Sequence, residues 1–388
     1  MRLACLLKEE SQLTVPGMTF ARLFSSPDRP RSRTITQFAA LLDPADDTVL
    51  ARLAHQSQMI TRRFFGRTMR LFAPLYLSSE CINNCQYCGF SRDNPILRVT
   101  LSVDEVEAEA KYLVQQGFRN VLLVSGEHPK FVSNGYLQDV VRRLVTFVPS
   151  VSLEVGPMEV EDYRPLVAAG TEGLVVYQET YDRKIYAELH TAGPKRNFDW
   201  RLETPERAYS AGFRRIGIAA LFGLAEWRSE AIALAEHLEY LLKKCWRSQL
   251  TVSLPRIRPA AGEFRPRFSF SDRDLLQVLC AFRIAFPQIG IVLSTRESAD
   301  FRDVLMPLGV TMMSAGSRTE PGGYTGQGAH SLHLTVKGRL KKTNCGTHKA
   351  DGQFEIEDSR SPNEIAGALR SHGLEPVWKD WDSAILAV

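Results

Sequence analysis

The sequence predicts an α/β fold, a (βα)8 barrel of the TIM type, over residues 72–320. Three observations carry that prediction. Eight short runs rich in Val, Ile and Leu recur through the segment. Amphipathic stretches with helix-start residues separate them. Unusual polar residues gather where the runs end.

The runs are Phe72–Leu77, Asn120–Ser125, Val151–Val155, Gly173–Gln178, Arg215–Leu221, Leu250–Leu254, Ile289–Ser294 and Val310–Ser314. Strands buried on both faces, as in a parallel sheet wrapped by helices, read this way. Between them, Ser102–Gln116 opens with Ser102 and has Glu105 three residues on, the pattern of a capping box. Glu226–Lys244 is long and amphipathic, and Ser271–Phe286 again opens on Ser and Asp. The run ends read Ser125-Gly126-Glu127, Gln178-Glu179-Thr180, Arg256-Ile257-Arg258, Thr295-Arg296-Glu297 and Ser314-Ala315-Gly316-Ser317. One polar loop start is ordinary in any αβ protein. Five at equivalent positions fit the C-terminal face on which barrel enzymes build their sites.

The flanks divide differently. Residues 1–34 read as an N-terminal extension open to disorder. Its arginines, Arg22, Arg29, Arg31 and Arg33, faintly resemble a transit peptide, but Glu9 and Glu10 spoil that pattern, and Met18 competes with Met1 as the start. Residues 35–71 form a helical preface. Residues 321–388 form a C-terminal extension. In it, 325–350 reads as a flexible basic loop with Lys341, Lys342 and Lys349, Ser361–His372 as a helix, and Val377–Trp381 as an aromatic tail packed on the barrel.

The 388 residues carry a formal net charge of +4, too small for a nucleic-acid footprint. No apolar run approaches the ~20 residues of a membrane span. Seven cysteines, an odd number with three clustered, exclude a disulfide framework and point to a reducing, cytoplasmic setting with one metal site.

That site is the segment Leu77–Phe90, LSSECINNCQYCGF, in which Cys81, Cys85 and Cys88 follow the first strand at C-x3-C-x2-C spacing. Three thiolates leave one iron of a [4Fe-4S] cubane without a protein ligand. The open iron can chelate the amino and carboxylate groups of S-adenosylmethionine (SAM), and one electron then releases a 5′-deoxyadenosyl radical. Structural zinc wants a fourth ligand, and no Cys or His nearby supplies one. Tyr87 fits the aromatic place beside the last cysteine, where it packs on the adenine. Ser125-Gly126-Glu127, closing the second strand, suits the SAM ammonium. Cys245 and Cys280 read as core thiols, and His128, His190 and His237 as structural or surface residues.

At this point the chain resembles the radical SAM aromatic amino-acid lyases. The matching blocks are APLYLSSECINNCQYCGFS, LLVSGEHP, VYQETYDRKIYAELHTAGPKRNFDWRLETPERA, IGIAALFGL, VSLPRIRP, LSTRES, SAGSRTEPGGY and LEPVWKDWD, which span residue 35 to the C-terminus apart from the basic loop. The resemblance implies cleavage of L-tyrosine at Cα–Cβ to dehydroglycine (2-iminoacetate) and p-cresol. SAM would be spent as 5′-deoxyadenosine and methionine, and the imine passed to a thiazole synthase for thiamine. A flavodoxin- or ferredoxin-type reductant is implied as a partner. Within the family, a tryptophan lyase is a rival reading. The tyrosine lyase of hydrogenase maturation carries further C-terminal cysteines, where this chain has Cys345 alone. A non-catalytic iron–sulfur scaffold is the rival from another class.

The resemblance also assigns residues. Arg296 is carried over as the clamp on the substrate carboxylate, a bidentate task for a guanidinium, with a surface pair to Glu297 as the alternative. Ser314 and Ser317 are hydrogen-bond partners for the same end. Gln178, Glu179 and Tyr181 are expected to include contacts to SAM or substrate, with helix initiation as the alternative for Glu179. Glu154 is placed to accept a ribose hydroxyl. Lys195 and Arg196 are candidates for the SAM carboxylate, or a solvated charge pair. Arg256 and Arg258 line the mouth or hold its loop.

Overall fold

The structure is a computed structural model that describes residues 19–25, 30–341 and 349–378. Twelve strands are present among them: β1 Thr68–Ser78, β2 Ile96–Arg98, β3 Asn120–Ser125, β4 Ser150–Glu154, β5 Gly173–Glu179, β6 Arg215–Ala220, β7 Gln249–Ser253, β8 Gly290–Leu293, β9 Met312–Ser314, β10 His333–Val336, β11 Arg339–Lys341 and β12 Glu375–Val377. All pairings in the larger sheet are parallel. β1, β3, β4, β5, β6, β7, β8 and β9 follow one another, and β9 pairs back onto β1 through Arg70–Phe72 and Met312–Ser314, closing an eight-stranded barrel. These are the eight strands read from the sequence, displaced by at most two residues at their ends except that β1 begins four residues earlier, at Thr68. Inward residues such as Phe72, Ser152, Val175 and Tyr177 alternate with outward apolar residues that meet the helices.

The helices start where their caps dictate. Ser102, Ser271 and Ser361 each accept from the backbone N–H three residues on, while Glu105, Asp274 and Glu364 reach back to the cap N–H. Glu226 caps Trp227–Lys244 by accepting from Arg228 N and Ser229 N at 3.0 and 2.8 Å. The helical preface consists of Arg33–Ala40 and Asp47–Phe65. It packs on Asp272–Ala285, where Phe38 meets Phe282 at 4.7 Å between centroids and Gln277 donates to the carbonyls of Leu41 and Asp43.

Two expectations for the flanks change. Inside the N-terminal extension, Phe20–Phe24 is a helix whose Phe20 stacks on His237 at 4.4 Å. Over 333–341 the basic loop is not a flexible coil. β10 and β11 form a hairpin that adds antiparallel to β2, pairing His333–Thr335 with Arg98–Ile96. Its turn holds Lys337 and Gly338 at φ +50 and +69, the left-handed pair a two-residue hairpin needs. Lys342 lies outside the described residues, and Lys349 pairs with Glu320 at 2.9 Å. β12 lies along the start of β1. From the aromatic tail, Trp378 packs edge-on against Phe118 at 5.3 Å, while Lys379–Trp381 fall outside the described residues.

Candidate active site

The cysteine loop leaves the C-terminal end of β1 and is tied down at both ends by one cation. Arg98, on β2, is 2 % exposed. Its guanidinium donates to the carbonyls of Ser79, Phe90 (3.0 Å) and Ser91 (2.7 Å), and its Nε to the Thr335 hydroxyl (2.6 Å). Glu80 lies beside it and accepts from His333 Nε2 at 2.6 Å. The hairpin therefore braces the loop from behind. Asn83 links the loop to the end of β3 and to the turn Pro194–Arg196. Its Nδ2 donates to Glu127 Oε2 at 2.6 Å, and its Oδ1 accepts from Lys195 N at 2.9 Å. The β3 end comes so close that a Cβ on Gly126 would lie 2.2 Å from the Glu80 carbonyl oxygen. Only glycine fits there.

The three thiols share one space. Cys85 is buried and Cys81 and Cys88 are partly so. Burial pushes the Cys81 thiol up, and the charge of Cys88 adds to this. Burial pushes Cys85 up as well; Lys195 opposes it, and Cys88 and Cys81 reinforce it. Such mutually repelling thiols suit a cationic centre that takes all three as thiolates. Among the described residues no group of three His, Cys, Asp or Glu closes on a single ion. A cubane is gripped by thiolates spread around its outside, wider than a one-ion site. Next to this loop the Ser125 hydroxyl is buried without a partner, a free polar group where a cofactor atom would be held. The residues fit a three-cysteine cluster with SAM beside it.

On the opposite rim, Glu179 ends β5 at φ +74, a left-handed conformation unusual for a side-chain-bearing residue. Its carboxylate receives Lys195 Nζ at 2.6 Å and Arg201 Nη2 at 3.5 Å. Burial alone would raise its pKa, but Lys195 and Arg201 more than reverse this and hold it below the ordinary carboxylate value. Tyr87 stands beside the group. Its hydroxyl bonds His190 Nε2 at 2.8 Å, and Lys195 Nζ lies 5.6 Å from its ring centre. Burial, and secondarily Lys195, depress His190 to about 3, so it is a neutral hydrogen-bonding group.

Inside the mouth, Glu154 is pushed up to about 7 by burial, with Arg296 opposing and Glu179 reinforcing. Tyr76 and Tyr177 are its neighbours. The Arg296 guanidinium lies 3.4 Å from the centre of the Phe354 ring, and no carboxylate among the described residues is within ion-pair distance of it. Glu297 is taken by Arg256, which also binds Asp272 at 2.7 Å. The surface-pair alternative for Arg296 is therefore gone. Inside the barrel a cavity is lined by Phe72, Ser152, Val175, Tyr177, Gly217 and Ser253 and reaches Arg70, Asn120 and Arg215 at the N-terminal end.

The structure thus brings together the cysteines, Tyr87, Ser125, Gly126, Glu127, Glu154, Glu179, Lys195 and Arg296. Ser314 is buried at the β9 end, where its hydroxyl accepts from Thr295 N at 3.1 Å and so supports the residue before Arg296. Gln178 is displaced from its expected place. It follows Tyr177 on the strand, so it turns outward, and its Nε2 reaches the Phe198 carbonyl at 3.5 Å. Tyr177 is the residue that faces the cavity, and counting by two along β5 would have found it. Tyr181 also faces outward, bonding His237 Nδ1 at 2.9 Å. Arg196 is exposed and away from the group. Arg256 and Arg258 hold loops through Glu297 and Glu357. Cys245 and Cys280 are fully buried thiols. Arg98, Asn83, Gln353 and Phe354 were not read from the sequence. Asn83 lies between the cysteines in CINNC, but the others come from segments with no local signal.

A parallel barrel whose C-terminal mouth carries three thiols in the first loop defines the radical SAM class. A profile of the radical SAM superfamily matches residues 75–236, and one for the biotin and thiamin synthesis associated domain matches 253–375. The 2-iminoacetate synthases of Escherichia coli and Salmonella typhimurium are each 41% identical to this chain over 345 residues, 89% of this chain and 86% of theirs. The hydrogenase maturase HydG from Carboxydothermus hydrogenoformans superimposes with a TM-score of 0.78 at 31% identity, over 96% of this chain and 81% of that one. The chain belongs to the 2-iminoacetate synthase family of radical SAM enzymes, and its cofactors are a [4Fe-4S] cluster and SAM.

Proposed function

We propose that the enzyme splits L-tyrosine between Cα and Cβ to give 2-iminoacetate and p-cresol. The observation that carries the substrate assignment is Arg296, a guanidinium that follows β8 at the C-terminal end of the barrel and has no carboxylate within ion-pair distance among the described residues. An amino-acid carboxylate is the bidentate partner such a cation lacks. The ring would then point into the barrel toward Tyr177, whose hydroxyl feels the Arg296 charge.

Cys81, Cys85 and Cys88 hold the cluster. When bound, the cluster and SAM supply a 5′-deoxyadenosyl radical that removes a hydrogen atom from the substrate amino group. The protein's part is placement and exclusion of water. Arg296 fixes the carboxylate, with Ser314 and Ser317 beside it. The unpartnered Ser125 hydroxyl, at the Gly126 close approach, takes the SAM ammonium together with Glu127. Lys195 is assigned to the SAM carboxylate, Tyr87 to the adenine and Glu154 to a ribose hydroxyl. Glu179 keeps Lys195 in position. The two products together have the composition of tyrosine, so the split is itself redox-neutral. The electrons drawn are the two that convert SAM to methionine and 5′-deoxyadenosine. We assign their delivery to a flavodoxin- or ferredoxin-type donor and the use of the imine to a thiazole synthase. Five described cysteines are free thiols, which supports a reducing, cytoplasmic setting. No helix among the described residues is long and apolar enough to cross a membrane.

The test is anaerobic incubation of reconstituted, reduced protein with SAM and tyrosine or tryptophan. Release of p-cresol with 5′-deoxyadenosine from tyrosine alone is expected, and neither product from Cys85→Ala. 5′-Deoxyadenosine without p-cresol, or turnover of tryptophan instead, overturns the reading.

A further inference from the structure

We infer that Gln353, in the C-terminal segment, sets the reduction potential of the cluster by donating an N–H···S hydrogen bond to Cys88. The inference rests on the cluster assignment and is independent of which amino acid is cleaved.

Gln353 Nε2 lies 3.8 Å from Cys88 Sγ, within hydrogen-bond range for sulfur. The other end of the carboxamide, Oε1, accepts from the Tyr76 hydroxyl at 2.8 Å. That pairing fixes which end faces which partner. A thiolate can only accept, so the NH2 group must face it, and a phenol can donate to the oxygen. The main chain is fixed too. Gly89 N donates to Gln353 O at 3.0 Å, and Gln353 N donates to Thr319 O at 2.9 Å. A Cβ on Gly89, the residue after Cys88, would lie 2.4 Å from Gln353 O, so the C-terminal segment and the cysteine loop approach as closely as backbones allow. The flanking residues are pinned across the barrel mouth. Asp351 accepts from Leu97 N at 2.6 Å, Glu355 N donates to Pro259 O at 2.8 Å, and Glu357 N to Thr295 O at 3.0 Å. The donor is thus held from the loops after three different barrel strands and is not a mobile side chain that happens to lie near sulfur.

Each cysteine has a different polar environment. Cys81 lies among the backbone amides of Asn83 and Glu127, and Cys85 faces the charge of Lys195. Cys88 has a neutral side-chain donor brought from 265 residues away in the chain. Reduction adds negative charge to the cluster and its sulfurs. A fixed N–H dipole pointing at one sulfur stabilises that charge and raises the potential. Removing the donor makes the cluster harder to reduce.

The experiment is a redox titration of the reconstituted holoenzyme, with no amino-acid substrate, followed by electron paramagnetic resonance of the reduced cluster. Gln353→Leu and the near-isosteric Gln353→Glu are compared with the unaltered protein and with Tyr76→Phe, which keeps the N–H donor. Both Gln353 variants are expected to hold a full complement of iron and to titrate at a more negative potential. At the original midpoint their reduced-to-oxidised ratio should fall roughly tenfold, equivalent to about 59 mV for a one-electron couple. Tyr76→Phe should shift far less. An unchanged midpoint in Gln353→Leu at full iron content overturns the inference, as does an equal shift in Tyr76→Phe, which would make the effect one of packing. Failure of the unaltered protein to assemble a cluster would remove the acceptor, and the cluster assignment would fall with the inference.

Discussion

The two ends of the barrel carry their charges in opposite ways. At the N-terminal end, Glu172 receives Arg215 Nη1 at 2.7 Å, Arg214 Nη2 at 2.8 Å and Arg70 Nη2 at 3.5 Å, with the Ser150 hydroxyl on the same carboxylate. The carboxylate is saturated by the protein itself. At the C-terminal end, Arg296 has an aromatic face and no carboxylate, and the Ser125 and Ser317 hydroxyls are buried without partners. Both ends are rich in buried charge, so charge alone does not mark a site. What separates Glu172 from Arg296 is that the first finds its opposite charges within the chain and the second finds none among the described residues. The end that closes on itself stabilises the barrel; the end that stays open is shaped for what it binds.

The sharpest way to break that contrast is to disturb the closed end. Glu172→Gln leaves three guanidiniums around a neutral amide. It should lower unfolding stability by about 3 kcal/mol, because a buried pair broken on one side leaves uncompensated charge. Denaturant unfolding measures this. Tyrosine kcat/KM per folded molecule should be unchanged, and a loss of activity without loss of stability would put function at the wrong end.

The converse substitution is Arg296→Lys. It keeps one positive charge but loses the fork and the flat stacking surface on Phe354. Tyrosine kcat/KM should fall about a hundredfold, equivalent to ~2–3 kcal/mol of lost transition-state binding, with stability within about 0.5 kcal/mol of the unaltered protein. Activity within a few-fold of the original would show that the open guanidinium is not the clamp.

The barrel walls were the legible part of this sequence. Strands such as Gly173–Glu179 and Arg215–Ala220 are continuous apolar runs, because each is covered on both faces and its period is local. The cysteine loop was legible for another reason: its ligands sit within eight residues of one another, so spacing alone carries the geometry. The open end was less so. Gln178 was put into the site because it is polar and near a strand end, but the pleat turns it outward and offers Tyr177 in its place. Arg98 and Gln353 act across chain separations that no local pattern reports. The hairpin at 333–341 was hidden by its lysines and histidines. Even so, Leu334-Thr335-Val336 before Lys337-Gly338 is the alternation-plus-turn signal of a hairpin, and its composition obscured it.

Glu230 sharpens the comparison from a third position, outside the barrel wall. It is 2 % exposed and, unlike Glu172, has no cation within ion-pair distance among the described residues. It accepts instead from the Thr180 hydroxyl at 2.9 Å and from Tyr181 N at 3.1 and 3.0 Å, bracing the rim immediately after the strained Glu179. Burial pushes it up to about 7 from an ordinary 4.5, against the lowering effect of those hydrogen bonds. A carboxyl raised on folding binds its proton more tightly in the folded state. Its contribution to stability is therefore complete below about 4.5 and is lost as the pH rises through about 7. Glu230→Gln retains an oxygen for Thr180 and Tyr181 and cannot ionise. Relative to the unaltered protein, it should gain about 1–2 kcal/mol between pH 5 and pH 8, read from denaturant midpoints at each pH. Glu154 titrates over the same window in both proteins, so the difference between the two profiles isolates Glu230. Parallel profiles would mean that Glu230 is already ionised in the folded state and that the rim hydrogen bonds alone offset its burial. The open end would then be held up by charge after all, as the closed end is.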